Sequence, residues 1–175
     1  CHTDARYPLT GTGDVNTYAL FAESMYQIIR KDGRAGVVVP TGIATDDSTK
    51  AFFAEVAGTG RIVSMYDFEN REGLFPAVDS RQRFSLLTLG TAPEAEFAFF
   101  ATAVPQLRDA RRRFRLAPSD FALINPNTRT CPTFRSEFDA ELTKKIYRRV
   151  PVLIDESKPP AEGNPWGISF LAMFH

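Results

Sequence analysis

Residues 61–90, RIVSMYDFENREGLFPAVDSRQRFSLLTLG, decide how this chain folds. The stretch from Arg61 to Glu69 is rich in β-branched and aromatic residues, and Phe84 to Leu89 is an apolar run; both read as strands. The loop between them, about a dozen residues, carries no helical period. Strands joined without a crossover helix pair antiparallel, so the expectation is an antiparallel pair at one edge of a mixed sheet. The loop sets Leu74, Phe75 and Pro76 among Asp79, Arg81 and Arg83. A large aromatic on a turn, directly before a charged cluster and a buried strand, asks for a reason.

Upstream, Tyr18, Phe21, Ala22, Met25, Ile28 and Ile29 recur at steps of three and four, which predicts a helix over 15–30. RKDG closes it, with basic residues near its end and Gly33 beyond. AGVVVP (35–40) reads as a short strand buried on both faces and stopped by Pro40. A second helix is expected over 47–56, capped by Asp47 or Ser48, and EFAFFAT (96–102) reads as a further strand. Helices alternating with strands at this spacing predict an α/β fold. Further on, 106–116 reads as a short basic helix, and PSDFALI as a helix capped by Ser119 or Asp120. Residues 136–150 read as an amphipathic helix capped by Ser136, with acids early and bases late. NPNTRTCP and DESKPPAEGNP read as loop and linker, and 1–14 as loop.

A chain of 175 residues is long enough for one substantial core, and fifteen Phe supply its mass. Lys+Arg and Asp+Glu both number 21, so no bulk field draws the chain to nucleic acid or to a membrane, although a local patch can. No apolar run approaches the roughly 20 residues that span a bilayer, and no signal peptide is evident. Cys1 and Cys131 match no metal spacing. The expectation is a reduced, cytoplasmic protein with no membrane partner. The start without Met and the stop inside an apolar run read as a fragment of a longer protein.

Catalytic signatures are scarce. His2 and His175 are terminal, so neither a His-based catalytic site nor a metal site is expected. GTG (11–13) reads as a turn, NPNT (125–128) as another, and Asp46–Asp47 as a helix start. The run Arg111–Arg113, with Arg108 and Arg115, has two readings: contacts to phosphates, or a solvated helix face paired with acids such as Asp109.

Read in order, NTYALFAESMYQIIRKDGRAGVVVPTGI, RIVSMYDFEN and GLFPAVDSRQRFSLLTL resemble the rear half of an adenine-specific DNA methyltransferase, of the amino-methylating kind found in restriction-modification systems. FALINPNTRTCPTFRSEFDAELTKKIYRRVPVLI resembles that group's connector toward a target recognition domain. The resemblance implies a Rossmann-like methyltransferase sheet, its C-terminal half over residues 1–104, and a helical connector over 105–175. It implies that the parent enzyme uses S-adenosylmethionine on double-stranded DNA, with a nuclease domain or subunit as a further partner. The family's cofactor-binding and Asn-Pro-Pro-aromatic catalytic motifs precede the helix near Val15 and are not in these residues. No catalytic residue is therefore assigned here, and the chain alone is expected to be inactive and to hold no cofactor.

By the same resemblance Phe75, with Pro76 and Asp79, lies against a flipped adenine; the competing reading makes Phe75 a lid over the core. Ser80, Arg81, Arg83, Arg111, Arg112 and Arg129 are candidate DNA contacts, the competing reading for the loop residues being a solvated turn. Pro40 and Thr41, at the carboxyl end of a strand, either shape the pocket floor or simply end the strand. Two rival functions stay open: a non-catalytic module that binds nucleic acid or protein, and a related enzyme acting on RNA or protein.

Overall fold

The computed structural model describes residues 6–13 and 15–169. Cys1, His2 and His175 lie outside the described residues.

Helix α1 (Thr17–Ile28) leads into strand β1 (Arg34–Pro40). A short helix α2 (Gly42–Thr45) and a 3-10 turn (Asp47–Thr49) then introduce helix α3 (Lys50–Gly58). Strand β2 (Ile62–Glu69), the 70–82 loop, β3 (Arg83–Gly90) and β4 (Ala95–Ala101) follow. Strand β5 (Phe114–Leu116) and helices α4 (Pro118–Ile124), α5 (Glu137–Tyr147) and α6 (Pro160–Gly163) complete the described chain.

The five strands form one mixed sheet in the order β1-β3-β2-β4-β5, as the α/β reading expects. The position of the antiparallel pair differs from expectation. Strand β3 is not at an edge but lies between β1 and β2, antiparallel to both. The α3 crossover leaves β1 and β2 parallel and one strand apart, and β3 fills that gap, so its backbone groups are paired on both sides. Both edge strands are antiparallel to their neighbours, β1 to β3 and β5 to β4.

The basic helix expected over 106–116 is replaced by two 3-10 turns, Val104–Arg108 and Ala110–Arg112, and then β5. Asp109 breaks the helix: its backbone is extended, and its side chain accepts the N–H of Arg111. Phe114 and Leu116 then alternate inward while Arg115 points out, the period of a strand. The second helix begins at Lys50 rather than Asp47, whose carboxylate pairs with Lys50 from the preceding turn. In α4, Pro118 occupies the first turn, and Asp120 reaches back to accept the N–H of Ala117. Ser136 caps α5 as expected, accepting the N–H of Asp139.

The core lies on one face of the sheet. Phe52, Phe53 and Val56 of α3 meet Met65, Leu87, Phe97 and Phe99 from the strands. Phe114 of β5, Phe121 of α4 and Ala140 of α5 belong to the same core. Phe97 stacks on Phe99 and Phe114, with Phe121 edge-on. No helix among the described residues is long and apolar enough to cross a membrane.

Candidate functional site

The carboxyl ends of the parallel strands β1, β2 and β4 meet the start of β3 along one edge of the sheet. This is the edge at which open α/β sheets take ligands. Strand register sorts the side chains there onto two faces, because successive residues alternate.

On the core face, Val39, Ser85 and Asp67 stand side by side across β1, β3 and β2. Asp67 is fully buried. Its Oδ1 accepts a hydrogen bond from Thr41 Oγ1 at 2.5 Å, and its Oδ2 accepts from Arg83 at 2.6 Å and from the N–H of Phe100 at 3.0 Å. Ser85 Oγ lies 3.1 Å from Thr41 Oγ1. Donors on both oxygens are what make a buried carboxylate tolerable. The network ties together the ends of β1, β2 and β4 and the first residue of β3.

Phe100 has a φ of +61°, in the left-handed region that an aromatic residue seldom occupies. Here Ala98 pairs with Tyr66 and Ala101 with Phe68, so β4 spends one more residue than β2 over the same distance. Such bulges re-aim side chains and recur beside functional sites. The Phe100 ring has the guanidinium carbon of Arg83 at 5.0 Å from its centroid and that of Arg135 at 4.4 Å.

On the opposite face, Pro40 pairs with Phe84, which pairs with Phe68. The rings of Phe68 and Phe84 stack at 5.5 Å. Phe75 meets Phe84 edge-to-face at 4.8 Å and remains 44% exposed. The aromatic on the turn is thus both anchored by the strand beneath and open to solvent. The 70–82 loop that carries it is stapled by buried Asn70, whose Nδ2 donates to the carbonyls of Phe75 and Val78 and whose Oδ1 accepts the N–H of Phe75. A turn from Phe75 to Val78 closes over Pro76, which sits where a fixed φ favours it.

Beside the loop is a cleft of about 440 Å³ lined by Glu69, Arg71, Ser80, Arg81 and Arg83. Ser80, Arg81 and Arg83, expected as DNA contacts, are therefore brought together. Arg81 pairs with Asp79 at 2.8 Å. Side-chain and then backbone hydrogen bonds from Arg81 hold the Asp79 carboxyl below its usual range. Arg71 pairs with Glu69 at 2.6 Å. Pro40 is exposed at the strand end, whereas Thr41 turns into the Asp67 network.

The other expected DNA contacts are placed elsewhere. Arg111 pairs with Asp109, whose carboxyl is lowered to about 2 by that side chain and its N–H. Arg112 lies in the adjoining turn. Arg129 has a left-handed φ of +53°, and its N–H donates to the Asn125 carbonyl. None of the three lines the cleft.

The Gly11–Gly13 turn is closed on its own chain: Gly11 N–H donates to the Tyr7 carbonyl, and a Cβ on Gly11 would meet that oxygen at 2.5 Å. Among the described residues no group of three or more His, Cys, Asp or Glu is placed to hold a metal ion. Cys131 is buried, and burial, with the nearby charge of Asp67, pushes its thiol well above the usual value. Asp67, Asn70, Arg71, Phe100 and Arg135 escaped the sequence reading. Asp67 had a faint signal, an acid inside an apolar strand, while Phe100 had none.

No protein-family model and no curated sequence matches the chain. Solved structures that match the chain include the following two. The type IIG restriction endonuclease BpuSI shows 22% identity over 53% of this chain and 11% of its own, with a TM-score of 0.41. The methyltransferase subunit of a type I restriction-modification system from Streptococcus thermophilus shows 12% identity over 76% of this chain, with a TM-score of 0.51. The match spans 34% of that subunit, so this chain corresponds to about a third of it. At this identity the likeness concerns fold alone, and the mixed α/β sheet is one that it shares with that methyltransferase subunit.

Proposed function

We propose that this chain is part of a DNA methyltransferase of a restriction-modification system, acting on the exocyclic amino group of adenine. It contributes the face of the cleft that receives the flipped base. The observation that carries this reading is the loop itself: its half-exposed aromatic is fixed to a strand by Phe84 and held by Asn70, and its far end, at Ser80 and Arg81, lines an arginine-rich cleft. An enzyme that works on a base amino group must extrude the base and hold it by stacking and edge hydrogen bonds. Phe75 supplies a flat apolar surface for that ring. Pro40, paired with Phe84, lies on the same face of the sheet. Asp79 holds Arg81 at the cleft, where Ser80, Arg81 and Arg83 meet backbone phosphates.

S-adenosylmethionine is the methyl donor in this reading. In this reading the described residues serve base and backbone, and cofactor binding belongs to the protein as a whole. A nuclease domain or subunit is the expected companion.

The test is methyl transfer from labelled cofactor by the natural full-length protein, offered duplex DNA, RNA and protein side by side. Label on DNA adenine alone is expected. Label on RNA or protein instead sinks the assignment, and DNA binding without any transfer leaves the non-catalytic binding module as the better description.

A further inference from the structure

Three arginines line the cleft, and each has a carboxylate of its own; a fourth, Arg135, shares the Phe100 ring with one of them, Arg83. Arg71 pairs with Glu69, Arg81 with Asp79 and Arg83 with buried Asp67. Arg135 is different. It is exposed, its one contact here is the Phe100 ring at 4.4 Å, and no carboxylate among the described residues pairs with it.

The fold goes to some expense to hold that ring in place. The left-handed φ of Phe100, at the β4 bulge, is a conformation an aromatic residue adopts only when its surroundings impose it. The Asp67 carboxylate holds the conformation by accepting the Phe100 N–H. Both guanidinium carbons lie within 5.0 Å of one ring centroid. Asp67 offsets Arg83, and no carboxylate among the described residues offsets Arg135, so the ring shared with a cleft-lining arginine carries one uncompensated positive charge.

We propose that Arg135, seated on Phe100, is a phosphate-contacting residue: it engages the nucleic-acid backbone as the strand passes. The inference rests on the nucleic-acid reading above and adds a contact to it. A planar guanidinium gives a phosphate two parallel N–H donors. Stacking on Phe100 limits the side-chain freedom that would otherwise be lost on binding. The contact carries no sequence information; it sets position along the strand.

The experiment is duplex DNA affinity as a function of salt, for the natural full-length protein and for Arg135→Gln and Arg135→Lys. Gln keeps a planar group over Phe100 without charge, and Lys keeps charge without the fork. The slope of log affinity against log salt is expected to fall in magnitude by about one for R135Q and to stay unchanged for R135K. Thermal melting without DNA should be the same for all three. An unchanged slope and affinity in R135Q, with the unaltered protein binding normally, overturns the Arg135 contact alone. Absence of salt-dependent DNA binding by the unaltered protein overturns the nucleic-acid reading and this contact with it.

Discussion

Phe75 is where composition and geometry disagree most usefully. An exposed aromatic on a turn is poor economy for a soluble protein, yet here its edge is pinned to Phe84 and its remaining surface is left open. Replacing it by Ala in the full-length protein should weaken flipped-base binding by roughly 1–3 kcal/mol, the scale of base–aromatic stacking. The fold should hold. Steady-state methylation together with a melting curve checks both halves, and unaltered methylation removes Phe75 from the pocket. Asp67 is the opposite kind of residue, structural rather than presented. Asp67→Ala strands the Arg83 guanidinium and the Phe100 N–H, and breaking a buried pair from one side should cost about 3 kcal/mol in urea unfolding. A loss below about 0.5 kcal/mol, the scale of a surface change, would show that the network is not what holds the strand ends together.

Among the elements, the 70–82 loop has one side chain, Asn70, that bonds across it several times. Asn70 makes three donations and one acceptance across the loop. Asn70→Ala should release it, costing roughly 1–3 kcal/mol for the unsatisfied carbonyls and N–H. Amide exchange at residues 75–79 should speed up while the β2–β3 ladder stays protected, and exchange that rises equally in both would mean that loop and sheet open together. The turn at Asp109 offers a pH test. Its folded carboxyl lies near 2, below the ordinary 3.8, so the contribution of its bonds to Arg111 is complete above about 4 and lost as pH falls toward 2. Acid titration should therefore leave Arg111 amide protection intact down to about pH 4, and loss at higher pH would contradict that order.

At the scale of the molecule, β1 is an edge strand with an open backbone side. Val38 is 57% exposed on it, and Phe21 of the neighbouring α1 is 67% exposed. An apolar, unpaired edge of this kind invites pairing with another chain. The isolated 175-residue chain is expected to self-associate as its concentration rises, and Val38→Lys should suppress this, since a charge on an edge strand blunts such pairing. Light scattering across a dilution series measures it; equal association in the variant would place the sticky surface elsewhere.

The local elements were legible because their causes are local. The period of three and four marked α1, the apolar runs marked β1 to β4, and Ser136 marked the start of α5, all by side-chain pattern along a single segment. Pairing order is a different quantity. Whether β3 closes an edge or fills the gap between β1 and β2 depends on the crossover through α3, and on satisfying two backbone ladders at once. The stretch 106–116 misled for a related reason: its arginines suit a helix, but the free edge of β4 takes Phe114 and Leu116 as a strand. Phe75 and the loop arginines could be singled out from their chemistry along the chain. The Asp67 network, the bulge that turns Phe100 and the unpaired charge of Arg135 could not, because each is made by residues tens of positions apart that only strand register brings within reach.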